Sequence, residues 1–318
     1  MSLLAEYKNS LKLAEVEEPL DLVLYRPPAF LLVKAIYRLP ITPNQVTFFS
    51  LLAGLASAWC FARGTVPSFV FAGIWYAVAN VLDCADGMLA RLQNSGSPFG
   101  RLVDGIVDWV TSVAIFIGVG IGLTAITGNP MMWWVAAAGG FTSAFHAIVF
   151  DSQQQAYIAA IRGKENFLGS ELERAREELN ATGTARVWVG KRLALRFYLA
   201  YMHVQKTSRL SPAPGPSASP EVYRRFNLTA MRWWTLLGAT TNRSGLIVAA
   251  LFGRPDLFCW IVAIAGNLYL MFMLLWQRRI RRRMARSLDR DSQGGQGSVN
   301  REYTLSAMGS GYDQDLSR

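Results

Sequence analysis

"VLDCADGMLARLQNSGSPFGRLVDGIVDWV" (81–110) sets four aspartates, Asp83, Asp86, Asp104 and Asp108, into otherwise apolar sequence. A charge at the centre of a bilayer costs at least ~2.5–3.5 kcal/mol on insertion scales, so four of them require compensation. Asp83, Asp86, Gly87 and Ala90 fall at i, i+3, i+4 and i+7 and share one helical face. Asp104 and Asp108, at i and i+4, share another. The segment between them, "LQNSGSPFG" (92–100), is short, which predicts two adjacent antiparallel helices with these faces together. Carboxylates crowded in this way cannot all stay ionised without counter-charge. Two hard divalent cations, Mg²⁺ or Mn²⁺, would supply it through oxygen ligands. Metal pairs of this kind neutralise developing charge in phosphoryl transfer.

The rest of the chain places this stretch in a membrane. Its 318 residues are 52% hydrophobic and 17% charged, with a net charge of +10. Those values favour a polytopic membrane protein over a soluble domain, and no nucleic-acid partner is expected. The first thirty residues mix Glu15, Glu17, Glu18 and Asp21 with Lys8 and Lys12, so no secretory signal is expected. Cys60, Cys84 and Cys259 form no metal-spaced pair and read as packing residues.

Windows of about 20 apolar residues mark spanning helices. Six are predicted, at 45–62, 68–90, 102–123, 131–150, 232–252 and 256–276. Lys34, Arg38, Arg91, Arg101, Lys191, Arg192 and the run "RRIRRRMAR" (278–286) all fall on one side of such a layout. The positive-inside rule then puts both termini and the aspartates on the cytoplasmic side. The fold class is therefore all-α, a polytopic bundle of six transmembrane helices. Thr42, Pro43 and Gln45 make a capping box that opens the first span. Upstream, "LDLVLYRPPAFLLVKAIYRL" (20–39) is apolar but interrupted by charge, which predicts an amphipathic helix in the interface.

The expected organisation is a cytoplasmic N-terminal segment with its interfacial helix (1–44), then a membrane domain of spans 1–4 (45–150). A cytoplasmic insertion (151–231), spans 5–6 (232–277) and a basic anchor with a disordered tail (278–318) follow. Within the insertion, "SELERAREELN" reads as a charged helix. "RVWVGKRLALRFYLAYMHVQK" (186–206) reads as a basic aromatic stretch against anionic headgroups.

Small residues surround the carboxylates. Gly87 and Ala90 leave room for a bulky phosphorylated ligand, Arg91 offers a fork for phosphate oxygens, and Gly100 allows close approach of the loop. Asp83-x2-Asp86-Gly87-x2-Ala90-Arg91-x8-Gly100-x3-Asp104-x3-Asp108 resembles the signature of the CDP-alcohol phosphotransferases. All eight fixed positions match, each having a background frequency of only ~5–10%. "TPNQVT" (42–47) is similar to the Pro-Asn-x-x-Thr element before that family's first span.

The resemblance implies transfer of a substituted phosphate from a CDP-linked donor to an alcohol hydroxyl at the membrane, with release of CMP. Carried over by position, Asp83, Asp86 and Asp104 would bind metal. Asp108 would act as general base and also touch a metal, and Gly87, Ala90 and Arg91 would shape the CDP pocket. It also implies a homodimer. The donor stays open between CDP-diacylglycerol, the reading preferred here, and a CDP-linked choline or ethanolamine transferred to diacylglycerol. Two other classes compete: aspartate-rich membrane prenyltransferases and ion-coupled transporters. The first leaves Gly87, Ala90-Arg91 and Gly100 unexplained, and the second predicts flux without CMP release.

Outside the motif, Arg243 lies near the middle of the fifth expected span. It is expected to face the bundle interior and bind a phosphate or polar acceptor, with Asn242 beside it. His146, late in the fourth span, is a candidate on the acceptor side, with helix packing as the competing reading.

Overall fold

The computed structural model describes Tyr7, residues 15–162 and residues 219–309, and these form helices and turns without a strand. A single π-helical turn, Asp21–Tyr25, leads into α1 (Arg26–Ile36). Four long helices follow: α2 (Pro43–Ala62), α3 (Val66–Leu92), α4 (Pro98–Thr127) and α5 (Met131–Arg162). The second described stretch holds α6 (Pro220–Trp234), α7 (Ala239–Leu251), α8 (Pro255–Ile261) and α9 (Asn267–Gly309). The charged helix and the basic aromatic stretch expected in the insertion lie outside the described residues.

Local sequence sets the ends of the long helices. Thr42 and Gln45 form the expected reciprocal box, with Thr42 N donating to Gln45 Oε1 at 2.9 Å. Thr65 and Ser68 repeat the device for α3. Ser97 Oγ accepts from Gly100 N at 2.9 Å to start α4, and Pro98 occupies the first turn. Gly128, at φ 66°, ends α4 in the left-handed conformation that glycine tolerates.

Lipid offers no hydrophobic drive between helices, so close backbone packing and interhelical hydrogen bonds must hold them. α2 and α4 touch along a seam of small residues. A Cβ on Gly118 would stand 2.2 Å from the Ala58 carbonyl oxygen, and one on Gly122 would stand 2.0 Å from that of Phe61. Ser50 and Ser57 of α2 donate to the Ala79 and Ala72 carbonyls of α3 at 2.9 and 2.8 Å. Phe61, Phe69, Ile115, Val119 and Ala250 fill the core between these helices. Phe48, Trp59, Phe71, Phe141 and Phe272 face outward, as lipid-facing side chains do.

Among the described residues, five helices are long and apolar enough to span: Pro43–Ala62, Val66–Leu92, Gly100–Thr127, Met131–Ile161 and Pro255–Leu288. The fifth expected span, 232–252, is broken. α6 ends at Trp234, a 3₁₀ turn covers Thr235–Leu237, and Gly238 is extended before α7 begins. α7 has 13 residues, which at 1.5 Å per residue is about 20 Å, short of a ~30 Å hydrocarbon core. It still packs in the bundle against α3, α5 and α8. The break has a physical cause. The N-terminal segment inserts here, and the Glu18 carboxylate accepts from Thr240 N at 3.1 Å and Thr241 N at 2.7 Å. Burial, then the neighbouring Asp21, pushes the Glu18 carboxyl up to about 7, while the Thr240 and Thr241 donors oppose the rise.

Two other boundaries shift. α5 runs to Arg162 rather than 150, because Val149, Phe150 and Tyr157 pack with α6 and α9 through Trp234, Leu270 and Ile280. The polar sequence after 288, expected to be disordered, continues α9 as helix to Gly309. Extending an existing helix needs no new nucleus, which is the costly step. The last span contains a π-helical segment, Val262–Gly266, between α8 and α9.

α1 is amphipathic as expected. Ala29, Phe30 and Val33 bury against Val46, Ala85, Met88 and Leu89 at one end of α2 and α3. Val23 (78% exposed), Leu24 and Leu31 face outward, suited to the acyl–headgroup boundary. Arg26 and Glu17 form a buried ion pair at 2.8 Å beneath it.

The α2–α4 seam predicts that Gly122→Leu lowers Tm, with a loss of about 1–3 kcal/mol from overpacking. Gly96→Ala, which enters open space, should leave Tm unchanged. Thermal unfolding in detergent with intrinsic Trp fluorescence checks both.

Candidate active site

α2 packs against both α3 and α4, and the second half of α3 and the first half of α4 bring their aspartates within reach of one another at the end where α1 packs on α3. Asp83, Asp86 and Asp104 each offer a carboxylate oxygen, and the three oxygens lie within 4.8 Å of one another. Asp86 is buried and its Oδ2 accepts from Thr47 Oγ1 at 2.5 Å. Asp104 Oδ1 is buried without a hydrogen-bond partner. A buried carboxylate oxygen with no donor is costly, and a hard cation bound by oxygens would relieve it. The donor set fits Mg²⁺ or Mn²⁺ on chemistry as well as on spacing.

Asp108 lies outside this trio but is joined to it through Arg243. Its Oδ1 lies 2.7 Å from Arg243 Nη2, and its side chain is 40% exposed. Arg243 Nη1 pairs with Asp83 Oδ2 at 2.8 Å and donates to Asn80 Oδ1 at 2.9 Å. One guanidinium therefore bridges a carboxylate of α3 and one of α4 through its two terminal nitrogens. The expectation that Arg243 faces the interior agrees with this geometry, and its direct partners are aspartates.

The other expected positions divide. Arg91 folds back over Gly87, where a Cβ would be 3.4 Å from Arg91 Nη1. Ala90, on the same face, is half-buried. Gly100 brings the 92–100 loop against the start of α2, since a Cβ there would be 3.3 Å from Ser97 Oγ and 3.5 Å from Asn44 Oδ1. Asn242 donates to the Leu237 and Gly238 carbonyls at 3.3 and 3.0 Å, which ties down the turn before α7. With Arg243 it also lines a cavity of about 80 Å³ shared with Tyr76, Ser112 and Ser143.

His146 does not join the aspartates. It is fully buried, its Nε2 is 3.4 Å from Asn267 Oδ1, and its ring packs on Gly266 of the π segment. Thr47 and Asn80 are contacts that residue type alone did not assign to the site. Thr47 belongs to "TPNQVT", so the signal was present, and Asn80 lies one turn before Asp83. An apolar groove of about 380 Å³ lies between α1, α3 and α7, lined by Leu32, Gly73, Ala77, Leu82 and Ile247.

Residues 40–167 match the family model for CDP-alcohol phosphatidyltransferase, a stretch that contains every aspartate of the site. The stretch that builds the site is thus similar to the CDP-alcohol phosphotransferases. It is 35% identical over 89 residues to archaetidylinositol phosphate synthase of Pyrococcus horikoshii, covering 28% of this chain and 46% of that protein. It is 29% identical over 113 residues to phosphatidylinositol phosphate synthase of Corynebacterium glutamicum, covering 36% and 43%. A third relative, CDP-diacylglycerol–inositol 3-phosphatidyltransferase of Candida albicans, is 27% identical over 79 residues, covering 25% and 33%. The chain thus spans less than half the length of these three relatives.

The geometry predicts unequal effects on Mn²⁺ binding. Asp104→Ala should weaken binding by at least about tenfold, the lower end of what losing a supporting group costs a metal site. Asp108→Asn, outside the trio, should retain the first ion. Titration of purified protein followed by electron paramagnetic resonance of free Mn²⁺ checks this, and equal losses in both variants would contradict it.

Proposed function

We propose that this protein transfers a substituted phosphate from a CDP-linked lipid, CDP-diacylglycerol, to the hydroxyl of a polar alcohol and releases CMP. The observation that carries the reading is a trio of carboxylates with metal-ligand spacing beside a fourth, Asp108, which Arg243 ties to the trio's Asp83. Metal binding and proton transfer would be divided between side chains that the sequence places on the same two helices.

Asp83, Asp86 and Asp104 would hold a divalent cation, with Asp108 the further ligand for a second. The cations would neutralise the diphosphate and the departing CMP. Asp108, the most exposed contact of Arg243, accepts the proton of the acceptor hydroxyl. The hydroxyl oxygen bonds to the phosphorus bearing the diacylglycerol, the bond from that phosphorus to the CMP oxygen breaks, and CMP leaves with the electron pair. Arg243 orients Asp108 and faces the phosphate oxygens on which charge accumulates. Thr47 fixes the Asp86 carboxylate, leaving its other oxygen for the ligand site. Gly87 and Ala90 keep side chains out of the CDP path, and Arg91 and Gly100 border it.

The apolar groove between α1, α3 and α7 supports a lipid substrate, since it offers an apolar surface to an acyl chain. The names of the relatives support a lipid donor and an inositol phosphate or inositol acceptor. The site belongs on the cytoplasmic side. α9 carries the basic run at 278–286, and within it Ile280 packs with Val16 of the N-terminal segment.

Purified protein with Mn²⁺ or Mg²⁺, offered CDP-dioleoylglycerol with myo-inositol 1-phosphate, myo-inositol, glycerol 3-phosphate or serine, should release CMP with one acceptor. CMP release only from CDP-choline or CDP-ethanolamine with diacylglycerol would reverse the donor assignment, and no CMP with any pair would overturn the reading. Asp108→Asn should lower kcat by about 10²–10⁴, the usual worth of a general base, with donor binding retained. Arg243→Gln should raise KM for one substrate at least tenfold; an unchanged KM for both would remove Arg243 from the site.

A further inference from the structure

α7 has no side-chain cap of its own. Its N-cap is Gly238, whose extended backbone carries no side chain to accept from the first turn. Its 13 residues are too few to span the hydrocarbon core, so its rotation about its own axis depends on neighbours. Yet it carries Arg243, whose guanidinium must reach carboxylates on two other helices.

The missing cap comes from the far end of the chain. Glu18, 222 residues before Thr240, accepts from Thr240 N through Oε1 at 3.1 Å. Through Oε2 it accepts from Thr241 N at 2.7 Å and from Thr241 Oγ1 at 2.8 Å. Gly238 is the socket for this carboxylate, since a Cβ there would lie 2.1 Å from Glu18 Cδ. Two further contacts continue along the same pair of elements. Asp21 Oδ1 accepts from Thr240 Oγ1, and the Tyr25 and Ser244 hydroxyls lie 2.9 Å apart. Positions 18, 21 and 25 are spaced as one helical stripe, and their partners run from Thr240 to Ser244, the neighbour of Arg243. Glu18, Thr240 and Ser244 are all buried, so water does not compete for these bonds.

We infer that Glu18 is a positioning residue for the transfer reaction: by capping α7 it fixes the rotation that aims Arg243 at Asp83 and Asp108. Asp21 and Tyr25 extend the same clamp. The inference rests on the role given to Arg243 above. A displacement near 1 Å in a positioned group can cost about 10²-fold in rate, so a loosened α7 is felt in kinetics. A cap that served stability alone would lower Tm without selecting the substrate that Arg243 serves.

The test is a double-mutant cycle in the full-length protein. Glu18→Ala, Arg243→Gln and the double variant are assayed for CMP release from CDP-dioleoylglycerol with the acceptor found above, with Tm and Mn²⁺ binding measured on each. Glu18→Ala is expected to retain Mn²⁺ binding at the Asp83, Asp86 and Asp104 trio. It should raise KM tenfold or more for the same substrate that Arg243→Gln affects, and the double variant should be no worse than Arg243→Gln alone. Glu18→Gln, which keeps an acceptor for the α7 amides, should recover most of the loss. Multiplicative losses in the double variant, or wild-type kinetics for Glu18→Ala beside an impaired Arg243→Gln, would overturn the inference. Wild-type kinetics for Arg243→Gln would instead overturn the role of Arg243 itself. Where Glu18→Ala does not fold, Tyr25→Phe, which removes only the hydroxyl facing Ser244, enters the same cycle and is read by the same criteria.

Discussion

The constraint on which this structure depends is the placing of several carboxylates between helices that otherwise bury apolar side chains. Anions in that setting need cations at short range, and among the described residues Arg243 pairs with Asp83 and Asp108. Asp86 receives a hydroxyl from Thr47, and Asp104 Oδ1 receives no hydrogen bond from the described residues. The imbalance is local and it coincides with three oxygens at metal-ligand spacing. A site that is incomplete without a divalent ion is what a phosphate-transfer enzyme requires, because its substrates add negative charge to the same space.

Once the carboxylates are fixed, other features become consequences. α3 and α4 must approach at their ends, so the loop between them is short and rests on the start of α2 through Gly100 and Asn44. α2 and α4 must also be close, and the Gly118–Ala58 and Gly122–Phe61 contacts bring their backbones together. The counter-charge must enter from a third direction, and α7 provides it as a short helix whose start is set by Glu18 rather than by its own sequence. The N-terminal segment therefore does two jobs. Its outward face, with Val23 and Leu31, suits the interface, and its inward face holds α7.

Much of this was legible in the sequence, for identifiable reasons. The aspartates stood out because their spacing follows helical periodicity inside an apolar run, and the fixed glycines, Ala90 and Arg91 narrowed the chemistry from metal binding to a CDP-linked phosphate. The start of the first span was readable because a capping box is local: Thr42, Pro43 and Gln45 are neighbours. The break in the fifth expected span was not readable. Hydropathy averages over 232–252 and is blind to Gly238, whose importance comes from a carboxylate 222 residues away from Thr240. α5 was underestimated because the apolar window that marks the fourth span ends at 150, while Tyr157 packs in a cluster that only the fold assembles. Arg243 declared itself by being a lone charge in apolar sequence. Its partners, Asp83 and Asp108, required the three-dimensional arrangement.

The central claim is that the carboxylate site works only when a divalent cation completes it, and that it then breaks a CDP-linked phosphate. The most direct measurement is CMP release by the purified protein in lipid vesicles containing CDP-diacylglycerol and acceptor, followed through chelation with EDTA and re-addition of Mn²⁺. The account predicts release that stops on chelation, resumes on Mn²⁺, and matches the loss of CDP-diacylglycerol mole for mole. Release that persists after chelation, or loss of the lipid donor without CMP, would contradict it.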